Sequence, residues 1–286
     1  MPDIATAIGK YEIDPKTLGA KKIADIPIEL LQGERYRGLF NGALFPEDLR
    51  GIVLPDHSLM FGLTAAGLDG VPHAAILIAR PPFRPEDFSS MKVLYELPSM
   101  KNIMPLNANT IAGRPEVARD KKQRIVFARL QDGQEEWSII GETTFPDDIS
   151  WVGANGRFGL GGWNDRTPIP NKPGYFRFLI HGYKKDDNGM VKYAIGLAEG
   201  WERPDGTFSI IGVDKRPMLT YPDAVAQVEM KTGKKGKEPD SNKRVIYTLG
   251  GVIYGNKIIL PVTLYDNESH FWTIPVLEML REFSTT

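Results

Sequence analysis

The sequence predicts an all-β fold, and among all-β folds it favours a five-bladed β-propeller. Short apolar runs separated by turn residues fill most of the chain, whereas helical patterns are scarce. The pattern HAAILIARPPFRPEDF at 73–88 returns at 123–140 and at 192–211 as a short apolar strand, a polar turn and an aromatic residue. Repeated β units at intervals of tens of residues are typical of propellers. A β-sandwich also consists of short meanders and remains the alternative fold.

Five hairpin units follow one another along the chain. They are SLMFGLTAAGLDGVPHAAILIAR, NTIAGRPEVARDKKQRIVFARLQDGQEEWSII, DDISWVGANGRFGLGGWNDR, GYFRFLIHGYKKDDNGMVKYAIGLAEGW and residues 244–276. Ala154-Asn155-Gly156 and Gly255-Asn256 predict tight hairpins, because Asn and Gly tolerate positive φ. Asp266-Asn267-Glu268-Ser269 predicts a longer loop. A three-strand meander cannot bury both of its faces alone, so we expect neighbouring blades to cover it.

Two helices are expected between or after these units. Pro222 suits the first turn of a helix and Gly233 suits its end, which predicts a helix over 222–231. The C-terminal VLEMLREF is the second candidate, and IPIELLQGE fits either a short helix or a strand. No shift in composition marks a boundary, so we expect one propeller domain over 1–286. In it, 1–37 is an extension packing on the propeller and 277–286 is a C-terminal tail.

Composition and motifs exclude several classes of function. Lys and Arg number 35 against 36 Asp and Glu, so the net charge does not favour nucleic acid or an anionic membrane as a partner. The absence of cysteine excludes disulfides, thiolate metal sites and cysteine nucleophiles. No zinc, nucleophile-elbow, P-loop or dinucleotide motif is present, so neither a metal nor a cofactor is expected. No secretory leader or membrane-length apolar run is visible, and we expect a cytoplasmic protein of unknown oligomeric state.

Polar residues recur where a propeller blade faces its central funnel. These positions are the start of the first strand of a blade and the loop between its second and third strands. The residues there or nearby are Asn41, Glu47, Asp48, Asp69, Asn107, Asn109, Arg114, Glu116, Asp147, Asp148, Asn164, Asp165, Arg166, His181 and Asp266. Acids and amides that converge on a concave site suit the hydroxyls of a sugar. The candidate stacking platforms for a pyranose are Trp151, Trp163, Tyr183 and Trp201. The same residue types also form ordinary turns and strand ends.

Several segments resemble carbohydrate-active enzymes. FNGALFPED (40–48), PIPNKPGYFRFLIHGYKKDDNGMVKYAIGLA (168–198) and LGGVIYGNKIILPVTLYDNES (249–269) resemble the five-bladed propellers of glycoside hydrolase family 130. That family holds inverting β-mannoside phosphorylases and hydrolases. IAGRPEVARDKKQRIVFARLQDGQEEW (111–137) and PDDISWVGANGRFGLGGW (146–163) resemble glycosyltransferase family 108, which has β-1,2-mannosyltransferase and phosphorylase activity. The likeness is patchy, but its motifs occur in the family's chain order.

The resemblance implies roles for individual residues. Asp148 matches the carboxylate of a QDP motif, which makes it the candidate general acid. His181 matches the phosphate-holding histidine of a YHG motif, although Ile180 stands here in place of the tyrosine. Asn41 and Asp266 match sugar-facing positions.

A second motif match places a different residue at the position of the general acid. Arg114-Pro115-Glu116 aligns with an EDPR motif, and the acid position then holds Arg114, a reversed charge. Arg114 and Arg166 are candidate bidentate contacts for phosphate, and Asp165 is a further candidate contact for the substrate.

The expected chemistry is inverting catalysis on a β-mannoside-like bond of an oligosaccharide or glycoside. Asp148 protonates the leaving oxygen, and inorganic phosphate is the candidate co-substrate that attacks the opposite face of the sugar. A hydrolase needs a second carboxylate about 6.5 to 9.5 Å from the first, for which Glu116 and Asp266 are the candidates. The alternative is a propeller that binds glycans or a protein partner without catalysis, because a fold does not fix a function.

Overall fold

The computed structural model is almost entirely β-structure. It describes residues 7–27, 45–66, 72–79, 92–97, 100–115, 124–131, 137–144, 149, 151–152, 157–233, 243–248, 250–264 and 268–280. Within these ranges the chain forms 20 strands and two helices, which confirms the all-β prediction. None of the helices in the described part of the chain has the length and apolarity to cross a membrane.

The first two sheets are formed by strands that are consecutive in the chain. A two-stranded antiparallel sheet pairs β1 (Ala7–Ile13) with β2 (Ala20–Pro27). The next sheet has the order β3-β4-β5-β6, and its strands are β3 (Phe45–Val53), β4 (Leu59–Ala66), β5 (Pro72–Ala79) and β6 (Lys92–Leu97). A four-stranded antiparallel meander of this kind is the blade of a propeller.

The next two sheets follow the same plan, whereas in the last sheet one strand pairs with the three others. One has the order β10-β9-β8-β7, and its strands are β7 (Met100–Asn107), β8 (Thr110–Pro115), β9 (Arg124–Leu130) and β10 (Trp137–Thr144). The next has the order β11-β12-β13-β14, and its strands are β11 (Arg157–Pro168), β12 (Tyr175–Lys185), β13 (Val191–Glu202) and β14 (Phe208–Val213). Two short strands, β15 (Leu219–Thr220) and β16 (Lys243–Arg244), also pair with β13. The last sheet contains β17 (Ile246–Thr248), β18 (Val252–Tyr254), β19 (Lys257–Leu264) and β20 (Glu268–Pro275).

The division between the third and fourth predicted units is wrong. The segments assigned to those units share one sheet, because β11 pairs directly with β12. The proline-rich stretch 168–174 is a hairpin connection, closed by the hydrogen bond from the amide of Ile169 to the carbonyl of Tyr175 at 3.0 Å. The described residues thus form four sheets of four or more strands, and a count of five blades is not confirmed.

The chain divides into two compact units. The first comprises Met1–Arg119 with Ala128–Ser138, and the second comprises Asp120–Phe127 with Ile139–Thr286. The core of the first unit contains the buried side chains of Ile52, Leu54, Met60, Ile76, Ile103, Ile111 and Ala128. The core of the second unit contains those of Leu179, Ile195, Leu197, Leu219, Tyr221, Ala224, Ile246, Ile258, Leu260, Val262, Leu264, Trp272 and Met279.

Both predicted helices are present. Helix α1 (Tyr221–Thr232) begins with a capping box, in which Thr220 and Asp223 exchange side-chain to backbone hydrogen bonds. It ends at Gly233, whose φ of 65° closes the helix in the left-handed conformation. Helix α2 (Val276–Met279) is one turn long. Most of the ambiguous stretch IPIELLQGE lies outside the described residues.

Of the three turns predicted from the sequence, two lie in the last sheet and can be compared with the structure. Gly255-Asn256 forms a two-residue hairpin between the paired residues Tyr254 and Lys257, which confirms that prediction. The second predicted loop is too long, because Glu268 and Ser269 already pair with β19. The third predicted turn, Ala154-Asn155-Gly156, lies outside the described residues.

The turn LPDHS at 54–58 joins β3 to β4. The amide of Leu54 donates to the carbonyl of Ser58 at 2.8 Å, and the carboxylate of Asp56 accepts the amide of Ser58 at 3.0 Å. His57 carries the positive φ that this turn requires, at 64°.

The turn RPDGT at 203–207 joins β13 to β14 and repeats these hydrogen bonds. The amide of Arg203 donates to the carbonyl of Thr207 at 2.8 Å, and Asp205 accepts the amide of Thr207 at 2.9 Å. Here the positive φ of 75° belongs to Gly206. The two turns therefore share one hydrogen-bond pattern. The left-handed position is occupied by His57 in the first turn and by Gly206 in the second, and this conformation costs more free energy for histidine than for glycine.

We predict that His57→Gly raises the free energy of unfolding by about 0.5 to 1 kcal/mol, because glycine enters the left-handed region without the steric penalty of a side chain. Gly206→Ala, the matched control in the equivalent turn, is expected to lower it by about 1 kcal/mol. Urea denaturation of the three proteins measures both changes, and a loss of stability in His57→Gly contradicts the prediction.

Candidate functional site

The residues proposed from the sequence fall into three groups in the structure. Asn41, Glu116, Asp148 and Asp266 lie outside the described residues. Arg114 lies in β8 of the first compact unit, half-buried and directly opposite Lys101 of β7. Asp165, Arg166 and His181 lie in the second unit, on the adjacent strands β11 and β12. One sheet thus holds three of the predicted site residues, and the candidate site is described around them.

The pairing of β12 with β13 decides which side chains share a face with His181. The two strands pair without a break from Tyr175 opposite Trp201 to Lys185 opposite Val191. Directly opposed residues share a face, and residues two apart on one strand do so as well. The face that carries His181, here called the histidine face, comprises Arg177, Leu179, His181 and Tyr183 of β12 and Tyr193, Ile195, Leu197 and Glu199 of β13.

Burial decreases along the histidine face toward the end of β12. Leu179 and Leu197 are fully buried, and His181 is 9% exposed. Tyr183 and Tyr193 are half-buried, and their ring centroids lie 5.1 Å apart. The imidazole of His181 therefore lies at the border between the core and the open end of the sheet.

Tyr247 of β17 supplies a further ring beside His181. The two ring centroids lie 6.2 Å apart, with an interplanar angle of 52°. This tilted arrangement is one that aromatic rings favour over a face-to-face stack. The surroundings of His181 thus combine apolar ring surface with phenol and imidazole hydrogen-bonding groups.

A buried ion pair occupies the other end of the histidine face. Arg177 Nη2 donates to Glu199 Oε2 at 3.2 Å, and both side chains are less than 10% exposed. Lys172 Nζ lies 3.9 Å from the other carboxylate oxygen of Glu199. Arg177 and Glu199 were not among the residues proposed from the sequence. The available signal was a charged residue at an inward position in each of two apolar strands.

Strand β11 contains a large bulge next to this ion pair. Gly162 is paired with Leu179 and Thr167 with Arg177, so residues 163–166 of β11 stand opposite Phe178 alone. Bulges re-aim side chains and are frequent beside active sites. The bulge contains Asp165 and Arg166. From the sequence, these two residues were expected in a loop between the second and third strands of a blade. That placement is wrong, because both lie inside the first strand of this sheet.

The bulge and His181 are close along the sheet. His181 is paired with Gly159 of β11, and the bulge lies opposite Phe178, three residues earlier in β12. At the rise of a β-strand this spacing is about 10 Å.

Two of the tryptophans proposed as stacking platforms, Trp151 and Trp201, have different surroundings in the structure. Trp151 is 5% exposed, and its Nε1 donates to the carbonyl of Asp214 at 2.9 Å, so it is a core residue and that prediction is wrong. Trp201 stacks on Tyr175 with a centroid distance of 5.4 Å, and the guanidinium of Arg203 lies 4.8 Å from its ring. Trp201 therefore already makes a ring stack and a cation–π contact within its own chain, and it is half-buried.

A hydrogen-bonded hairpin joins β12 to β13 beside the two tyrosines. The carboxylate of Asp186 accepts the amides of Asn188 at 3.0 Å and Met190 at 2.9 Å, and Lys192 Nζ lies 2.9 Å from its other oxygen. The hydrogen bond from Lys192, followed by the backbone amide of Met190, lowers the pKa of Asp186 from its ordinary value. This carboxylate therefore stays ionised at a lower pH than a free aspartate does.

Comparison with solved structures decides the fold. A β-1,2-mannobiose phosphorylase from Listeria innocua, solved with β-1,2-mannobiose, superposes with a TM-score of 0.55 at 16% identity. The match covers 84% of this chain and 61% of the phosphorylase, so the chain spans about three fifths of that protein. A glycosyl hydrolase from Bacteroides ovatus superposes with a TM-score of 0.62 at 12% identity, over 95% of this chain and 75% of that one. This chain is an all-β propeller. No protein-family model matches its sequence, and no curated protein does so either.

We predict that Arg177→Met destabilises the propeller by about 3 kcal/mol, because it leaves the carboxylate of Glu199 buried without its closest cation. The double variant Arg177→Met, Glu199→Leu is expected to recover most of that loss, since an apolar pair has no charge to desolvate. Chemical denaturation measures both values. A single variant as stable as the parent contradicts the prediction.

We also predict that Lys192→Met raises the pKa of Asp186 toward its ordinary value, because the largest cause of the lowered pKa is removed. The pKa should stay below that value, since the two backbone amides remain. Lys185→Met, which removes the charge next to Asp186 in the chain, is the control. A carbon-detected NMR titration of the Asp186 carboxyl gives the pKa of each variant. No difference between Lys192→Met and the parent removes the assigned cause.

Proposed function

We propose that this propeller is a carbohydrate-active enzyme, an inverting glycoside phosphorylase or hydrolase that acts on β-mannoside-like bonds in its funnel. The observation that carries the proposal is the position of His181. Its imidazole lies beside buried leucines near the open end of the histidine face, in the same sheet as the bulge that holds Asp165 and Arg166. The likeness of the fold to a mannobiose phosphorylase supports the same class of substrate.

The proposed reaction breaks the bond between the anomeric carbon and the glycosidic oxygen. Asp148 gives its proton to the departing oxygen, and an oxygen of phosphate forms the new bond from the opposite face of the sugar. The configuration at the anomeric carbon is therefore inverted. His181, Arg114 and Arg166 hold the phosphate in this scheme, and Asn41, Asp165 and Asp266 bind sugar hydroxyls.

Hydrolysis is the variant in which water replaces phosphate. Water needs a base, and Glu116 is the carboxylate proposed for that role. Glu199 is not assigned to it, because Arg177 and Lys172 hold its carboxylate in a buried ion pair. No cofactor takes part in either variant of the proposal.

A propeller that binds glycans or a protein partner without cleaving a bond is the second candidate. The observation that favours it is Arg114, a cation at the position where one alignment with known motifs has the catalytic acid. In the structure Arg114 is half-buried and lies opposite a second cation, Lys101.

Incubation of the protein with β-1,2-mannobiose separates these functions. Mannose 1-phosphate formed only when phosphate is added identifies a phosphorylase, and mannose formed in phosphate-free buffer identifies a hydrolase. Binding of the disaccharide by calorimetry without any product identifies a binding propeller. Neither product nor binding with a panel of β-mannosides overturns the proposal.

We predict that Asp148→Asn lowers kcat on an active substrate at least about 100-fold, because the amide cannot protonate the leaving oxygen. The Kd for the disaccharide should stay within about twofold, since the change removes one proton and little volume. Asp187→Asn, at an exposed position in the β12–β13 hairpin, is the control for loss of an acidic charge. Unchanged turnover in Asp148→Asn removes this residue as the acid.

A further inference from the structure

The chain contains no cysteine, so methionine is its only sulfur-containing residue type. Peroxides oxidise methionine to the sulfoxide, which converts a flexible apolar side chain into a polar and chiral one. The methionines that the structure describes differ in exposure. Met230 of α1 is 78% exposed, whereas Met60, Met104 and Met279 are at most 1% exposed. Met190, in the hairpin between β12 and β13, is half-buried.

The sulfur of Met190 accepts a hydrogen bond from a cation. Arg244 Nε donates to Met190 Sδ at 3.1 Å. A thioether sulfur is a weak acceptor, whereas the guanidinium is a permanent cation with several N–H donors. The two residues are 54 positions apart in the chain, so this contact depends on the fold and not on the local sequence.

Backbone pairing on both sides holds this contact in place. The amide of Asp186 donates to the carbonyl of Met190 at 2.9 Å, and the carboxylate of Asp186 accepts the amide of Met190 at 2.9 Å. Arg244 belongs to the two-residue strand β16, which pairs in parallel with the first two residues of β13. Its guanidinium also lies 5.6 Å from the ring centroid of Tyr221, the first residue of α1. Arg244 thus links the hairpin, β16 and α1.

Oxidation of Met190 changes the group to which Arg244 can donate. A lone pair of the sulfur attacks one oxygen of hydrogen peroxide, so that an S–O bond forms while the O–O bond breaks. The proton on the transferred oxygen passes to the departing oxygen, which leaves as water. The sulfur loses two electrons and the peroxide gains them. The acceptor is then the sulfoxide oxygen, which projects from the sulfur, so the guanidinium cannot keep its present position against the sulfur.

We propose that Met190 is a site of reversible oxidation by peroxides, and that Arg244 transmits its oxidation state to β16. In the reduced protein, the thioether holds Arg244 beside the start of β13. In the oxidised protein, Arg244 follows the sulfoxide oxygen and leaves the position in which it contacts Tyr221. Arg244 forms one of the two residue pairs of β16 with β13, so its displacement weakens this short strand. This chemistry is separate from the glycoside reaction proposed above.

Peroxide treatment followed by peptide mass spectrometry and amide hydrogen exchange tests the proposal. Met190 should gain one oxygen after the exposed Met230 does and before the buried Met60, Met104 and Met279 do. The sulfoxide of Met190 should speed exchange of the β16 amides about tenfold, which corresponds to the loss of roughly one hydrogen bond. Incubation with the two epimer-specific methionine sulfoxide reductases should restore the exchange rate of the untreated protein.

Three variants separate this site from general oxidative damage. Met190→Leu keeps an apolar side chain of similar volume and has no sulfur, so peroxide should leave exchange at β16 within about twofold. Met230→Leu, the matched control at an exposed methionine, should respond to peroxide as the parent does. Arg244→Gln should speed exchange at β16 before any peroxide is added, and peroxide should then change it less than about twofold, since the guanidinium is absent.

Each outcome decides the proposal when thermal unfolding shows that the variants fold. A response at β16 that requires both Met190 and Arg244, and that the reductases reverse, supports it. A response that persists in Met190→Leu overturns it, because another residue is then oxidised. Met190 that stays unmodified until the buried methionines are oxidised overturns it as well, and so does a Met190 sulfoxide with no change at β16. A full peroxide response in Arg244→Gln overturns the assigned role of Arg244.

Discussion

The uninterrupted register between β12 and β13 is the constraint on which the candidate site depends. A slip of one residue would move Arg177, His181 and Glu199 to the opposite face of the sheet. That face is closed to them, because Gly196 and Gly200 of β13 are there in contact with the rings of Trp151 and Phe176. A Cβ on Gly196 would lie 2.4 Å from an atom of the Trp151 ring. Close packing against these two glycines thus disfavours the slipped register, in which Arg177, His181 and Glu199 would face the other way.

The polar residues of the histidine face are separated by fully buried leucines. Arg177 and Glu199 compensate one another's charge at one end, although a buried ion pair of this kind is rarely a net source of stability over apolar residues of the same size. His181 lies at the other end, where burial decreases and the half-buried tyrosines begin. Its position is the one from which a buried strand can present a hydrogen-bonding group to a ligand without opening the core.

The sequence predicted those helix ends and turns that depend only on neighbouring residues. Pro222 and Gly233 predicted helix α1, and Gly255-Asn256 predicted a two-residue hairpin. The division into blades failed between β11 and β12, because a turn rich in proline and glycine looks alike whether it joins two strands of one sheet or two sheets. The bulge was read as a loop, since GGWNDR has no alternation of polar and apolar residues. Arg177 and Glu199 are 22 residues apart, and only the pairing of their strands brings them together.

Strand β11 has a composition that disfavours β-structure, and its neighbour explains why it forms. Three glycines, Gly159, Gly161 and Gly162, precede the bulge, and each costs about 0.5 to 1 kcal/mol in a strand interior relative to alanine. The strand nevertheless pairs with β12 on both sides of the bulge, with one further register shift between Leu160 and Gly162. Its partner β12 is paired with β13 along its whole length and so offers β11 an ordered edge. The sheet therefore combines β12, whose register fixes the face of His181, with a neighbouring strand that is interrupted by glycines and a bulge.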